Sequence, residues 1–142
     1  MPVSFHSLIN SFKLTQQKRI SNWILLVMFR EEKEVEKIDF IFCSNPYILK
    51  LNKKFLFHHS STDVITFDYS KNNKSVFAEI FISVDEVKKN ARYYRVSFMD
   101  ELHRVMIHGV LHCCGYSDKN VSDRKKMHIK ENELLNLLLE ME

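Results

Sequence analysis

The sequence predicts an α+β domain, a small, mostly mixed β-sheet of about four strands packed with about five helices. Two patterns carry this. Short runs rich in branched and aromatic residues mark strands, and apolar positions recurring at helical spacing mark helices. Their order reads βα βα ββ ααα, with no repeat and no low-complexity segment. Gly and Pro number only two each, so long linkers are not expected, and the 142 residues suit a single domain over 1–142.

Val3 to Leu8 alternates and predicts a short strand. Ile20, Trp23, Ile24 and Val27 recur at helical spacing and predict an amphipathic helix over 15–30. Ile38 to Cys43 is the second strand. Ser44-Asn45-Pro46 then reads as a helix start with proline in the first turn, and Ile48, Leu51 and Phe55 form its apolar stripe. Phe57 to Ser61 reads as a polar, histidine-bearing loop. Val64–Phe67 and Val76–Ser83 are strands joined by a polar turn. The helix over about 84–95 turns Val84, Val87 and Ala91 inward. Ser97 caps the next helix, with Asp100 three residues on, and Gly115 stops it after Cys114. Ser122 is expected to start the last helix, whose Met127, Leu134, Leu138 and Met141 share a face.

MPVSFHSLIN lacks the charged-then-apolar build of a signal peptide, and the apolar run Trp23 to Phe29 is far too short to span a bilayer. Three cysteines, two of them adjacent, make a poor disulfide framework. The expectation is a cytoplasmic protein without a membrane partner, and a monomer. The net charge of +3 permits an anionic partner without demanding one.

The chemistry concentrates in HGVLHCCGYSD, His108 to Asp118. Residues four apart share a helix face, so His108 and His112 can aim ring nitrogens at one ion. Gly115 lets the chain turn, and Asp118 is placed to bring a third donor. Three protein ligands and one open position describe a catalytic zinc site. An HxxxH pair alone is common and need not bind anything. Zinc peptidases of the H-E-x-x-H type carry a glutamate base after the first histidine. Here Gly109 stands there, which disfavours that reaction. A glycine inside a helix also suggests a close neighbour, with another packed helix as the plain alternative. Cys113 and Cys114 point away from the histidine face and read as small apolar packing residues.

HGVLHCCGYSD resembles the HGxLHxxGYxH signature of the YbeY endoribonucleases, the rRNA maturation factors of bacteria. LNKKFLFHHSSTDVITFDY, from Leu51 to Tyr69, is similar to the family's LNxxyRxxdxpTDVLSF segment, and AEIFISVDEVKKNA, from Ala78 to Ala91, to its GDIxIS strand and following helix. The resemblance covers residues 36 to 118 well. It implies one divalent metal per chain, with zinc the expected ion, and single-strand endoribonuclease activity in 3′-end maturation of small-subunit (16S) rRNA and in ribosome quality control. The implied partners are the ribosomal RNA precursor and the small ribosomal subunit.

Carried over residue by residue, the resemblance assigns His108 and His112 as metal ligands and places the third histidine ligand on Asp118. A carboxylate there makes the site more anionic, so its water should be less acidic, and the harder oxygen donor should widen tolerance toward manganese or iron. The family's arginine in this segment falls on Leu56; an arginine there could clamp a phosphate, and leucine cannot. Lys53, Lys54, His58 and His59 are nearby cations, though the lysines read more simply as solvated. The family's proline before TDV is Ser61, and its Gly-Asp pair is Ala78-Glu79.

Metal-bound water is the expected nucleophile. No general base is named. Asp63 reads first as a turn or cap acid. Lys88, Lys89, Arg92 and Arg95, and then Lys119, Arg124, Lys125, Lys126 and Lys130, would track an RNA backbone or form ordinary charged faces. Tyr93, Tyr94 and Tyr116 would stack on bases or serve the core. The competing reading is a non-catalytic ribosome assembly factor with a structural metal. A two-His-one-carboxylate iron oxygenase matches in ligand type but takes its ligands from barrel strands, and no run of short strands is present.

Overall fold

A computed structural model describes residues 1–56 and 62–141. The loop expected over Phe57–Ser61, with His58, His59 and Ser61, lies outside the described residues, as do the side chains of Phe55 and Leu56. The chain runs β1 (Val3–Ser7), α1 (Gln17–Arg30), β2 (Glu34–Cys43), α2 (Asn45–Leu51) and a π-helical turn (Asn52–Leu56). Then follow β3 (Val64–Asp68), β4 (Ser75–Ser83), α3 (Val84–Tyr94), α4 (Phe98–Cys113) and α5 (Val121–Glu140). The α+β expectation holds.

The sheet order is β1-β2-β4-β3. β1 and β4 flank β2 in parallel, and β3 closes one edge antiparallel to β4. β2 begins four residues before the apolar run that predicted it. Glu34, Glu36 and Lys37 there are polar and exposed, and the ladder from Glu34 and Val35 to Ser75 and Val76 of β4 recruits the segment despite its composition. Alternation along β4 sorts its side chains. Val76, Ala78, Ile80 and Ile82 enter the main core, while Phe81 packs on the small cluster of Cys43, Ile48 and Ile65.

Helices α1, α4 and α5 cover the main core. Trp23 of α1 is fully buried and donates its indole N–H to the carbonyl of Leu134 in α5 at 2.9 Å. The inward face of α3 is Val84, Val87 and Ala91, as the spacing predicts. Ser97 caps α4 by accepting from the Asp100 amide. The cap of α5 is a correction: Asn120, rather than Ser122, accepts from the Asp123 amide at 2.8 Å, so the helix begins at Val121. Asparagine is as good a cap as serine, and it stands at the position where the backbone is still extended.

Gly109 explains how α4 sits. A methyl group added there would come within 2.9 Å of Ile80 Cγ2 and 3.3 Å of Thr66 Oγ1. The close neighbour is the sheet rather than another helix, and glycine lets the helix backbone approach β3 and β4. Among the described residues, no helix is long and apolar enough to cross a membrane.

Candidate metal centre

Helix α4 delivers both histidines, and its C-terminus delivers the aspartate. Gly115, at φ 97°, closes the helix in a left-handed turn. The Gly115 amide donates to the His112 carbonyl and the Tyr116 amide to the Leu111 carbonyl, at 3.1 Å each. This double bond pattern satisfies the last carbonyls and reverses the chain. It brings Asp118 back over the histidine face.

The three donors converge. His108 Nε2 and His112 Nε2 are 3.0 Å apart, and Asp118 Oδ2 lies 3.4 Å from the first and 3.3 Å from the second. A tetrahedral ion with bonds of about 2.0–2.1 Å has ligand-to-ligand edges of about 3.3 Å. The triangle already has that size.

The hydrogen bonds behind the rings decide which nitrogens face inward. His108 Nδ1 is 2.7 Å from Glu131 Oε2, and His112 Nδ1 is 3.0 Å from the Tyr116 carbonyl oxygen. Both partners are acceptors, so each Nδ1 carries the hydrogen. In the neutral imidazoles each Nε2 is then a bare lone pair, and both lie within 3.4 Å of a carboxylate oxygen. Such a set is repulsive by itself and is relieved by a cation. His108, His112 and Asp118 could therefore hold a metal ion, and they form the grouping of that kind found among the described residues.

The donors are part-exposed, with side chains 25%, 30% and 43% accessible in chain order. Behind them the site is acidic. Glu131 is nearly buried, and it accepts from Arg104 at 3.0 Å as well as from His108. Burial alone would raise the Glu131 carboxyl, but hydrogen bonds from His108 and Arg104 hold it below its ordinary value. Burial disfavours a charge on His108, yet Glu131, Asp118 and Asp63 together raise its imidazole. Asp63 is raised chiefly by burial, against the pull of His108. Glu101 is raised by burial and by Asp63. Asp63, Glu101, Arg104, His108 and Glu131 line one small cavity of about 110 Å³.

Glu131 and Glu101 escaped the sequence reading, although a signal for each was there. Met127, Glu131, Leu134 and Leu138 form one buried stripe of α5, and an acid in that stripe needs a partner. Glu101, Val105, His108 and His112 fall at i, i+4, i+7 and i+11 on the histidine face of α4.

The other candidates sort clearly. Cys113 and Cys114 pack beside the main core, and burial raises their thiols to about 12 and about 11. They lie outside the donor group, as expected. Lys88, Lys89, Arg92 and Arg95 are exposed, as are Lys119, Arg124, Lys125 and Lys126. Lys130 instead pairs with Glu31 and Glu133. Tyr93 and Tyr94 are exposed and edge-to-face with each other, whereas Tyr116 is partly buried beside the core.

Comparison with known proteins gives a consistent result. The family model described as endoribonuclease YbeY matches residues 6–139. A protein of Flavobacterium psychrophilum named endoribonuclease YbeY is 42% identical over 135 residues, covering 95% of each chain. One of the same name from Parabacteroides distasonis is 38% identical over 140 residues, covering 99% of this chain and 98% of the relative. The solution structure of TM1509 from Thermotoga maritima superimposes with a TM-score of 0.64 at 26% identity, covering 96% of this chain and 88% of that one.

Proposed function

Because the chain belongs to the endoribonuclease YbeY family, we propose that it is a metal-dependent ribonuclease that cuts single-stranded RNA in the 3′-end maturation of small-subunit rRNA. In this reading His108, His112 and Asp118 hold one divalent ion, with zinc the first expectation. The observation that carries it is the triangle of inward lone pairs at 3.0–3.4 Å.

A bound divalent ion supplies Lewis acidity, lowering the pKa of water and neutralising charge on phosphoryl oxygens. The protein does the positioning. Glu131 and the Tyr116 carbonyl fix the two imidazole planes, and Arg104 holds Glu131 in place. Asp63 and Glu101 face the cavity beside His108, and burial raises both carboxyls above their ordinary values. The exposed cations of α3 and of the start of α5 supply a sequence-independent hold on the backbone.

The alternative is an assembly factor whose metal only braces the fold. Two features favour catalysis. The donors are part-open to solvent, as a catalytic site requires, and α4 is already anchored by nine buried residues. The test combines metal analysis of purified protein with cleavage of single-stranded RNA after chelation and add-back. Near one metal per chain and metal-restored cleavage are expected. In cells, His112→Ala should abolish rRNA maturation while the protein stays folded; normal maturation in that variant would sink the nuclease reading.

A further inference from the structure

We propose that the cleft between α3, α4 and α5 is a recess for one nucleobase of the RNA strand whose phosphate is presented to His108, His112 and Asp118. This rests on the nuclease reading. The cleft encloses about 770 Å³, a volume that suits a nucleotide-sized ligand. Asp63, Glu101 and Arg104 line both this cleft and the small cavity that reaches His108. A strand lying across the metal centre therefore has the recess directly beside it.

The lining selects the ligand. Leu135 and Leu138 give an apolar wall, and Tyr94 stands exposed among the lining residues. Asn90, Asn132 and Asn136 bring amides. Asn90 donates to Asp63, and Asn132 accepts from Arg104. This leaves a carbonyl on the first and an NH₂ on the second without a partner among the described residues.

His103 lies in the same lining, nine-tenths buried, and its Nε2 has no hydrogen-bond partner. Its ring stands edge-on to Trp23. Burial, with Arg19 nearby, pushes the imidazole down to about 4, so it is neutral at ordinary pH. That nitrogen is enclosed rather than open to the cleft, so His103 contributes a neutral wall residue whose ring lies beside any base that enters.

Charge excludes the obvious competitor. Asp63, Asp100 and Glu101 outnumber Arg104 in the lining, so a phosphate is disfavoured there. A neutral heterocycle with apolar faces and a rim of donors and acceptors matches what remains.

Nuclear magnetic resonance on the full chain gives the first test. The probes are the four ribonucleosides at millimolar concentration, with phenol and inorganic phosphate as controls. At least one nucleoside should shift the His103 ring signals and the Asn136 side-chain amide. Phenol and phosphate should not. Asn136→Trp, which fills the cleft from an exposed helix position, should abolish the His103 shift. The proposal is overturned if no nucleoside shifts these signals, if phenol does so equally, or if Asn136→Trp changes nothing.

The second test uses single-stranded RNAs made abasic at one position at a time. One abasic position should slow cleavage about tenfold, the scale of a single base contact. Asn136→Trp should slow the intact RNA similarly and the abasic one no further. Equal rates at every position would overturn the recess. If nucleosides bind but no RNA is cut at all, the nuclease reading fails and the base site stands without it.

Discussion

His108 Nδ1 lies 2.7 Å from Glu131 Oε2, joining a ring on α4 to a carboxylate on α5. The contact fixes the tautomer that turns Nε2 toward Asp118 and His112.

Removing that carboxylate should loosen the ion without unfolding the chain. Glu131→Ala is expected to weaken metal affinity roughly 10–100-fold, the range for such supporting groups. Glu131→Gln keeps an acceptor for the Nδ1 hydrogen and should lose less. Competition against a chelator of known affinity measures both. Unchanged affinity in Glu131→Ala would remove Glu131 from the site.

Asp118 should set the metal range. The wild-type site, with its carboxylate, is expected to restore activity with manganese or iron as well as zinc. Asp118→His supplies a third neutral imidazole and should narrow the range toward zinc. Metal content and add-back activity check this, and a strict zinc requirement in the wild type would count against it.

Gly109→Ala should destabilise the fold, although alanine is the better helix former. The new methyl group meets Ile80 at 2.9 Å, and overpacking of this kind typically costs about 1–3 kcal/mol. Thermal unfolding should show a lower Tm. Paired with Ile80→Ala, the loss should be less than additive, because the clashing atom is gone.

His103 gives a pH signature. Its imidazole sits at about 4 in the fold, depressed by burial and Arg19 against the opposing pull of Asp100, and at an ordinary 6.5 when unfolded. Between these values the unfolded chain binds more protons, so stability falls as pH drops through the window. The contribution is fully present above pH 6.5 and lost toward pH 4. His103→Leu should flatten this part of the stability profile. An identical slope in both proteins would mean that His103 is not the group responsible.

Much of the fold and the centre of the site were legible in the chain. Apolar spacing placed α1 and the inward face of α3, and the Ser97 and Gly115 signals bounded α4. His108 and His112 lie on one helix, so their spacing alone puts them on one face. Asp118 is only six residues on, and Gly115 permits the return. The beginning of β2 was not legible, because polar residues become a strand there only by pairing with β4.

Sequence alone thus determined what local geometry can determine: the helix that carries His108 and His112, the turn that ends it and the three residues that could hold an ion. Only the tertiary structure could bring Glu131 from α5 and Asp63, just before β3, to the cavity that Glu101 and His108 of α4 also line. It also showed that Gly109 is there for Ile80. The reason is physical. Helical periodicity fixes neighbours within about eleven residues, whereas the charge environment of a buried group depends on which elements pack against it.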